Sequence, residues 1–484
     1  MSEPRQPMSQ VVVVGSGQVG ALAAIAVKRA LPACEVTIVA HTGDACDFAD
    51  RASSALPFAN RLHERLGIDE NAILARADGS HRLVERYFGW GGEGMHGALP
   101  YGDSAIAGAA AFGRAWGGGS RSAEAEGHGG TLNEVLADAG RFRVPAPREN
   151  TPLSQVDYAM RWNAGAYHRL LVERAQAIGV RYREAPLTDV EQSAADRIEA
   201  ITLASGERLS AQLFLDCSGI ARVLHSRVTD ALPLLWDERQ PPQTIVFGRP
   251  GQAMIALEDR LSLTRHGWLR EFAGRDGLQH VLGVSPVMSV EEAARAMGVE
   301  PATTIAVRSG HLAEPWSGNV VGLGDAAAQF VPIGYFHADL AHRFVALLIE
   351  LLPGASIVPT ERAEFNRRAG LMIEGVRHTI GLHFAAPAAR AVFPDNEPAP
   401  QIASTIDQFT RRGRLPFFDE QPLTVPEKQG LLNALGFAEG VAPQHRGRPA
   451  PDRQGMRQAF VTQARGVLSA TPPYAEWLAG RLRG

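Results

Sequence analysis

Six residues near the N-terminus, Gly15-Ser16-Gly17-Gln18-Val19-Gly20, have the types and spacing to hold a dinucleotide pyrophosphate. In such a turn Gly15 permits a tight bend and Gly17 lets the backbone approach the phosphates. Gly20 lets a helix pack closely on a strand. The helix then aims free N–H groups and the positive end of its dipole at the phosphate charge. A bare glycine pattern is weak, but its setting strengthens it. Val11 to Val14 is a β-branched apolar run that reads as a buried strand, and Ala21 to Ala30 reads as a helix. The alternative is a strand–turn–helix unit that binds nothing. Glu35 to Ala40 reads as the second strand, whose end carries an acid for the adenosine ribose in a dinucleotide fold. Ala40 and His41 stand there instead. Asp44 and Asp47 could serve only if the loop folds back.

The remaining chemistry-bearing residues are sparse. Cys34, Cys46 and Cys217 have no metal-like spacing and form no even framework. His81, His96 and His383 likewise lack ligand spacing, so no metal is expected. Lysine is almost absent: Lys28 and Lys428 are the only two, and arginine carries the remaining positive charge. A net charge of −4 gives no electrostatic case for nucleic acid. With 45% hydrophobic and 21% charged residues a packed core is expected, and no apolar stretch is long enough to span a membrane. Met1 to Gln10 is polar and lacks a signal-peptide core, which with the cysteine usage fits a cytoplasmic location. The length, 484 residues, suits one large or two to three ordinary domains.

Elements that must position these groups follow from periodicity. Leu56 to Ile68 reads as a helix with Leu62, Leu66 and Ile68 on one face. Gly89–Gly97 and Gly113–Gly130 read as loops, with Trp90 and Trp116 beside them. A loop tryptophan either lines a pocket or anchors the loop. Asn163–Ile178 reads as a helix, and Val180–Val190, Arg197–Leu203 and Arg208–Ser210 as strands. Two apolar strands end in polar turns, Leu213–Gly219 and Asn319–Asp325. The mixed pattern of Thr244–Val287 suggests β-structure, and Ser289 with Glu292 forms a helix-start signature. Helices follow at Ala338–Leu352, Thr360–Phe384, Ser404–Arg412, Pro426–Phe437 and Arg453–Leu482, the last broken at Pro472-Pro473.

The glycine turn, the Asp216-Cys217-Ser218-Gly219 turn and the Gly324-Asp325 turn fall in the order seen in FAD-dependent monooxygenases. More narrowly, the chain resembles the flavin-dependent tryptophan halogenases over almost its whole length. Gly318–Asp325 looks like that family's late flavin-contacting segment. Phe365-Asn366-Arg367, Glu374, Arg377, Leu382-His383-Phe384 and Phe409–Pro416 match its C-terminal helical pattern. The resemblance implies an α/β fold: a doubly wound, Rossmann-like FAD-binding domain, an inserted β-rich substrate domain and a helical C-terminal cap. The expected division assigns residues 1–90, 150–235 and 300–355 to the FAD domain. Residues 91–149 and 236–299 would be substrate-facing insertions, and 356–484 the helical region. FAD, a separate flavin reductase and a small aromatic or peptide substrate are implied, with a homodimer left open. Gly15, Gly17, Gly20, Gly324 and Asp325 would hold the cofactor.

The halogen-processing positions depart from the pattern together. Arg82, in His81–Trp90, stands where the family has its lysine, and a guanidinium cannot serve as a neutral amine. Trp268 keeps the first tryptophan of a W-x-W-x-I-P signature whose second Trp and Pro are absent. Gly334 replaces the family's glutamate, with Tyr335 and His337 in what would be the halide turn. Ala52–Pro57 replaces a flavin loop. Arg82, Tyr335 and His337 are the candidate catalytic residues, and Trp90 and Trp268 the candidate pocket walls. Arg82 could hold an anion, with a surface salt bridge as the alternative. In a continuous strand Arg82 and Glu85 would point to opposite faces. Three readings result: altered oxygen chemistry on an aromatic or indole-like substrate, an unorthodox halogenase, or a non-catalytic homologue that binds a ligand or protein.

Overall fold

The valine run becomes the strand β1 (Gln10–Val14), buried within a six-stranded sheet. In the computed structural model the described residues are 6–102, 130–146, 148–194, 196–237, 239–416, 420–443 and 453–483. Trp116 lies outside them, and of the glycine-rich stretch 113–130 only Gly130 lies within. The chain divides into two units. One comprises Met1–Asp78, Trp162–Asp237 and Val307–Arg377; the other comprises Gly79–Arg161, Glu238–Ala306 and His378–Gly484.

In the first unit the sheet order is Trp316–Ser317, Val320–Gly322, Leu213–Asp216, β1, β2 (Glu35–Val39) and Arg181–Arg183. Every pairing is parallel except that of Trp316–Ser317. Val11 lies opposite Leu213 on one side and Val36 on the other. Parallel strands covered on both faces read as unbroken apolar runs, which is why β1 shows no alternation. Val12 and Val14 pack with Ile198, Ile201 and Leu203 of a three-stranded antiparallel sheet. The crossover α1 (Gln18–Ala30) is buried from Gln18 to Val27. Its alanines let it lie close against the helices Ala164–Ala177 and Phe336–Glu350. Three turns leave the carboxyl ends of adjacent strands, where parallel sheets bind ligands. They follow β1, Leu213–Asp216 and Val320–Gly322.

The second unit is built on a seven-stranded sheet. Its order is Pro301–Val307, Gln243–Gly248, Gln279–Val284, Gly267–Phe272, Glu258–Thr264, Val84–Phe88, His96–Pro100. Helices Pro387–Val392, Pro400–Arg412, Val425–Ala434, Arg453–Ala470 and Tyr474–Arg481 follow. Among the described residues no helix is long and apolar enough to cross a membrane.

Several boundaries differ from the pattern-based expectation for local reasons. The expected strand Val180–Val190 is two strands, Arg181–Arg183 and Leu187–Ala194. Pro186 between them has no N–H to give a ladder. The run His81–Trp90 also splits, into Ser80–Arg82 and Val84–Phe88, because the Leu83 N–H turns to the Leu257 carbonyl at 2.7 Å. Thr424 starts the helix Val425–Ala434 with a reciprocal capping box to Glu427, and Pro426 sits in its first turn as expected.

The glycine spacing is a packing requirement. At Gly15, φ is +111°, and a Cβ there would overlap the Cys217 carbonyl; a Cβ on Gly20 would overlap the Gly15 carbonyl. Backbone cannot yield as a side chain can. Gly20→Ala should therefore lower unfolding free energy by about 2 kcal/mol in a urea titration, as overpacked buried sites do.

Candidate functional site

The turn after β1 has the shape of a phosphate cradle, but the chain itself has entered it. α1 begins with Gly17 as an N-cap that offers no side chain, and its first turn has no acid. Its orphan N–H groups need a partner. Asp50 provides one: Oδ1 accepts the Val19 N–H at 2.8 Å. The Asp50 carboxylate lies against Gly17 in the space that a Cβ there would need. Gln18 Nε2 donates to the Asp50 and Ala52 carbonyls at 2.9 and 3.0 Å and ties the segment to α1.

The loop after β2 thus does fold back, as the ribose role of Asp44 and Asp47 would require. Its acids bond to protein instead. Asp47 Oδ1 accepts the Ile220 N–H at 3.1 Å, and Oδ2 accepts the Asp44 N–H at 2.6 Å. A Cβ on Gly219 would overlap the Asp47 carboxylate. Asp325 Oδ2 accepts the Ala49 N–H at 2.7 Å, and Gln329 Nε2 donates to the Cys46 carbonyl at 3.0 Å. Burial pushes the Asp50 carboxyl up to about 7 against the opposing pull of the Val19 N–H, and the Asp47 charge adds to the rise. Burial likewise raises Asp47 and holds Asp325 well above the usual carboxylate range.

Gly15, Gly17, Gly20, Gly324 and Asp325 are therefore gathered at one end of one sheet. His337 joins them: its Nε2–H donates to the Phe330 carbonyl at 2.9 Å and lies 4.0 Å from Asp325 Oδ1. The His337 ring stacks on Phe330 at 3.9 Å and meets the Phe48 ring edge-on at 5.1 Å. Tyr335 is buried at the start of the helix Phe336–Glu350. At Gly334 a Cβ would overlap the Phe336 ring.

Arg82, Trp90 and Trp268 belong to the other unit. Arg82 is not a surface ion pair: it is 2% exposed and pairs with equally buried Asp259 at 2.8 Å, with the Tyr101 hydroxyl also bonded. Because the strand breaks at Leu83, Arg82 and Glu85 do not alternate to opposite faces. Both charges act on one network, in which Glu85 lies 3.4 Å from Arg270. Burial raises the Glu85 carboxyl, and the Arg270 and Arg82 charges oppose that rise. Tyr87 OH lies 3.1 Å from His383 Nε2, while His383 Nδ1–H donates to the Thr379 carbonyl at 2.9 Å. Burial lowers His383 to about 4, so it is neutral at physiological pH and its Nε2 accepts a hydrogen bond from the Tyr87 hydroxyl. Trp90 anchors its loop, donating to the Leu261 carbonyl at 3.1 Å. Trp268 lies over Gly283 on the neighbouring strand and donates to Gln243 Oε1 at 3.3 Å.

The sequence reading missed Asp50, Asp259, Arg270 and Tyr87. A signal existed for Asp259, which shares the buried face of its strand with Leu261 and Leu263. Asp50 follows Asp44 and Asp47 at intervals of three, but only the fold-back gives that spacing meaning. Of the two lysines, Lys28 donates to the Pro32 and Cys34 carbonyls beyond its own helix. Lys428 is buried, donates to Gln421 Oε1 at 2.9 Å and is lowered by burial to about 8.

The sequence pattern of a family described as tryptophan halogenase matches residues 10–445. Tryptophan 7-halogenase RebH of Lentzea aerocolonigenes is 22% identical over 411 residues, 78% of this chain and 76% of that protein. BrvH, a flavin-dependent halogenase from Brevundimonas sp. BAL3, superposes with a TM-score of 0.83 at 22% identity, covering 98% of this chain and 99% of its own. Tryptophan 6-halogenase SttH from Streptomyces toxytricini gives a TM-score of 0.85 at 19% identity, covering 98% and 100%. These superpositions establish the fold.

Two expectations follow from the buried charges. Arg82→Met removes the charge paired with buried Asp259 and should cost about 3–5 kcal/mol in chemical denaturation, whereas Arg82→Met with Asp259→Leu should recover most of that loss. For Asp50 the folded carboxyl titrates above its unfolded value, so the native state holds more protons between about pH 4 and 7. Its contribution is lost as pH rises through that window, by roughly 4 kcal/mol. Asp47 and Asp325 titrate beside it in the same sense. Asp50→Asn keeps the acceptor for Val19, and melts from pH 5 to 8 should show a flatter dependence than the parent.

Proposed function

The chain belongs to the tryptophan halogenase family, and from that premise we propose flavin-dependent oxygen chemistry on an aromatic, indole-like substrate, without the ordinary lysine–glutamate halogenation centre. The family uses FAD and a separate flavin reductase. RebH and SttH carry tryptophan in their names, which is the ground for the substrate class.

Arg82 carries this reading. The resemblance puts the lysine at this position, and here a permanently charged guanidinium is held between Asp259 and Tyr101. It can orient an anion or stabilise negative charge but cannot release a proton to become a nucleophilic amine. The position of the glutamate supports the same conclusion, since Phe336 fills the space beside Gly334. His337 donates Nε2–H to the Phe330 carbonyl and lies beside Asp325. Trp90 and Trp268 are fully buried and shape the sheet from within. Gly15, Gly17, Gly20, Gly324 and Asp325 remain the proposed cofactor residues.

In the arrangement described, those residues do not fit FAD. A pyrophosphate needs the N–H groups at the start of α1, and Asp50 holds one of them, with Asp47 and Asp325 crowded beside it. The same observation favours a second reading, a homologue that binds a ligand or partner without flavin turnover.

Incubation with FAD, a flavin reductase, chloride or bromide and tryptophan or indole, followed by product mass, separates the readings. A product heavier by one oxygen atom supports the proposal, and exchange of hydrogen for halogen overturns it. Absence of product together with absence of flavin binding supports the second reading. Replacing both Lys28 and Lys428 by arginine should leave turnover unchanged; its loss would restore a lysine to the chemistry.

A further inference from the structure

We propose that Asp44–Asp50 is an internal anion plug of the nucleotide cradle, with the Asp50 carboxylate seated where a pyrophosphate would bind, so that FAD enters only by displacing it. This rests on the flavin reading above.

The plug uses the cofactor's own contacts. The Val19 N–H, second in α1 and aimed along the helix axis, is the donor a phosphate oxygen would take, and Asp50 takes it. The absence of a side chain at Gly17 is what lets a ligand approach the backbone, and the Asp50 carboxylate fills that space. Gly219, in the turn after the adjacent strand, receives the Asp47 carboxylate in the same way. Asp325, the proposed flavin-binding acid, instead holds the Ala49 N–H. Three neighbouring turns are thus satisfied by one segment of seven residues.

Helix capping alone does not account for this arrangement. A neutral serine or asparagine would satisfy the Val19 N–H without bringing charge into the cradle. Capping gives no reason for Asp47 to lie on Gly219, which is not part of α1. The carboxylates also crowd one another: Asp47 raises Asp50, and Asp50 and Asp47 raise Asp325. The segment is held by several hydrogen bonds and is buried from Cys46 to Ala49, whereas Thr42 and Gly43 before it and Asp44 at its start are exposed. Phe48 lies in the same segment against the His337 ring, so displacement of the plug would also uncover His337. Arrival of the nucleotide and exposure of this histidine become one event.

The test is affinity, read without turnover. FAD, and separately ADP, is titrated into the full chain and into Asp50→Ala, Asp50→Asn and Asp47→Ala/Asp50→Ala, by flavin fluorescence and calorimetry. Thermal melts check that each variant is folded. Asp50→Ala and the double variant should bind both probes at least tenfold more tightly than the parent, with Asp50→Asn between them. Asn keeps the hydrogen bond and the bulk but not the charge, so it also serves if the alanine variants do not fold. Equal and tight FAD binding by parent and variants would overturn the plug and leave the flavin reading standing. A variant that loses stability without gaining affinity would likewise overturn it, reducing Asp50 to a helix cap. Binding of FAD by none of the proteins would sink the flavin reading, and the plug with it.

Discussion

The close approach of backbone to backbone at the end of β1 constrains everything around it. Gly15 lies against the Cys217 carbonyl, and Gly20 against the Gly15 carbonyl. No side chain larger than hydrogen is tolerated at either point. This tightness places the start of α1 directly over the carboxyl ends of β1 and Leu213–Asp216. Helix N–H groups held there with no local cap form an anion site by geometry alone. Such a site will be filled by whatever negative charge is nearest. In this chain that charge is covalently attached.

The second unit solves a different electrostatic problem. Arg82 and Asp259, with Glu85 and Arg270, are four charges with almost no exposure. Transfer of such groups from water costs several kcal/mol each, and pairing repays it only when geometry is good. Arginine suits this role because its planar fork can bond to two partners while remaining charged. Here Asp259 and the Tyr101 hydroxyl both lie on the same guanidinium nitrogen. A lysine that must become neutral to react would be poorly served beside Asp259, whose charge would hold its proton in place. The arginine and its acid form a buried, paired unit within the sheet.

The packing around residues 334, 337 and 268 is set by contacts of a few atoms. Phe336 occupies what would be side-chain space at residue 334, and Trp268 is folded onto Gly283 within its sheet. His337 is held by Phe330 and approached by Phe48. The first unit therefore links its cradle to an aromatic cluster through the one segment Asp44–Asp50.

Much of this was written in local pattern. The valine run, the three glycines, the alanine-rich crossover and the turns after Leu215 and Leu323 are short-range features, and each forms what its spacing dictates. The Asn163 cap, the Thr424 capping box and the break at Pro472-Pro473 are local too. Tertiary structure decided where charge went. Arg82 could be read as a surface residue, because strand alternation says nothing about a break at Leu83 or about an acid 177 positions away. Asp50 carried no signal, because its partner is an N–H group at the end of a helix 31 positions earlier. Periodicity reports which face of an element is apolar. It cannot report which distant polar group will meet a buried charge, since that pairing exists only after the backbone has closed.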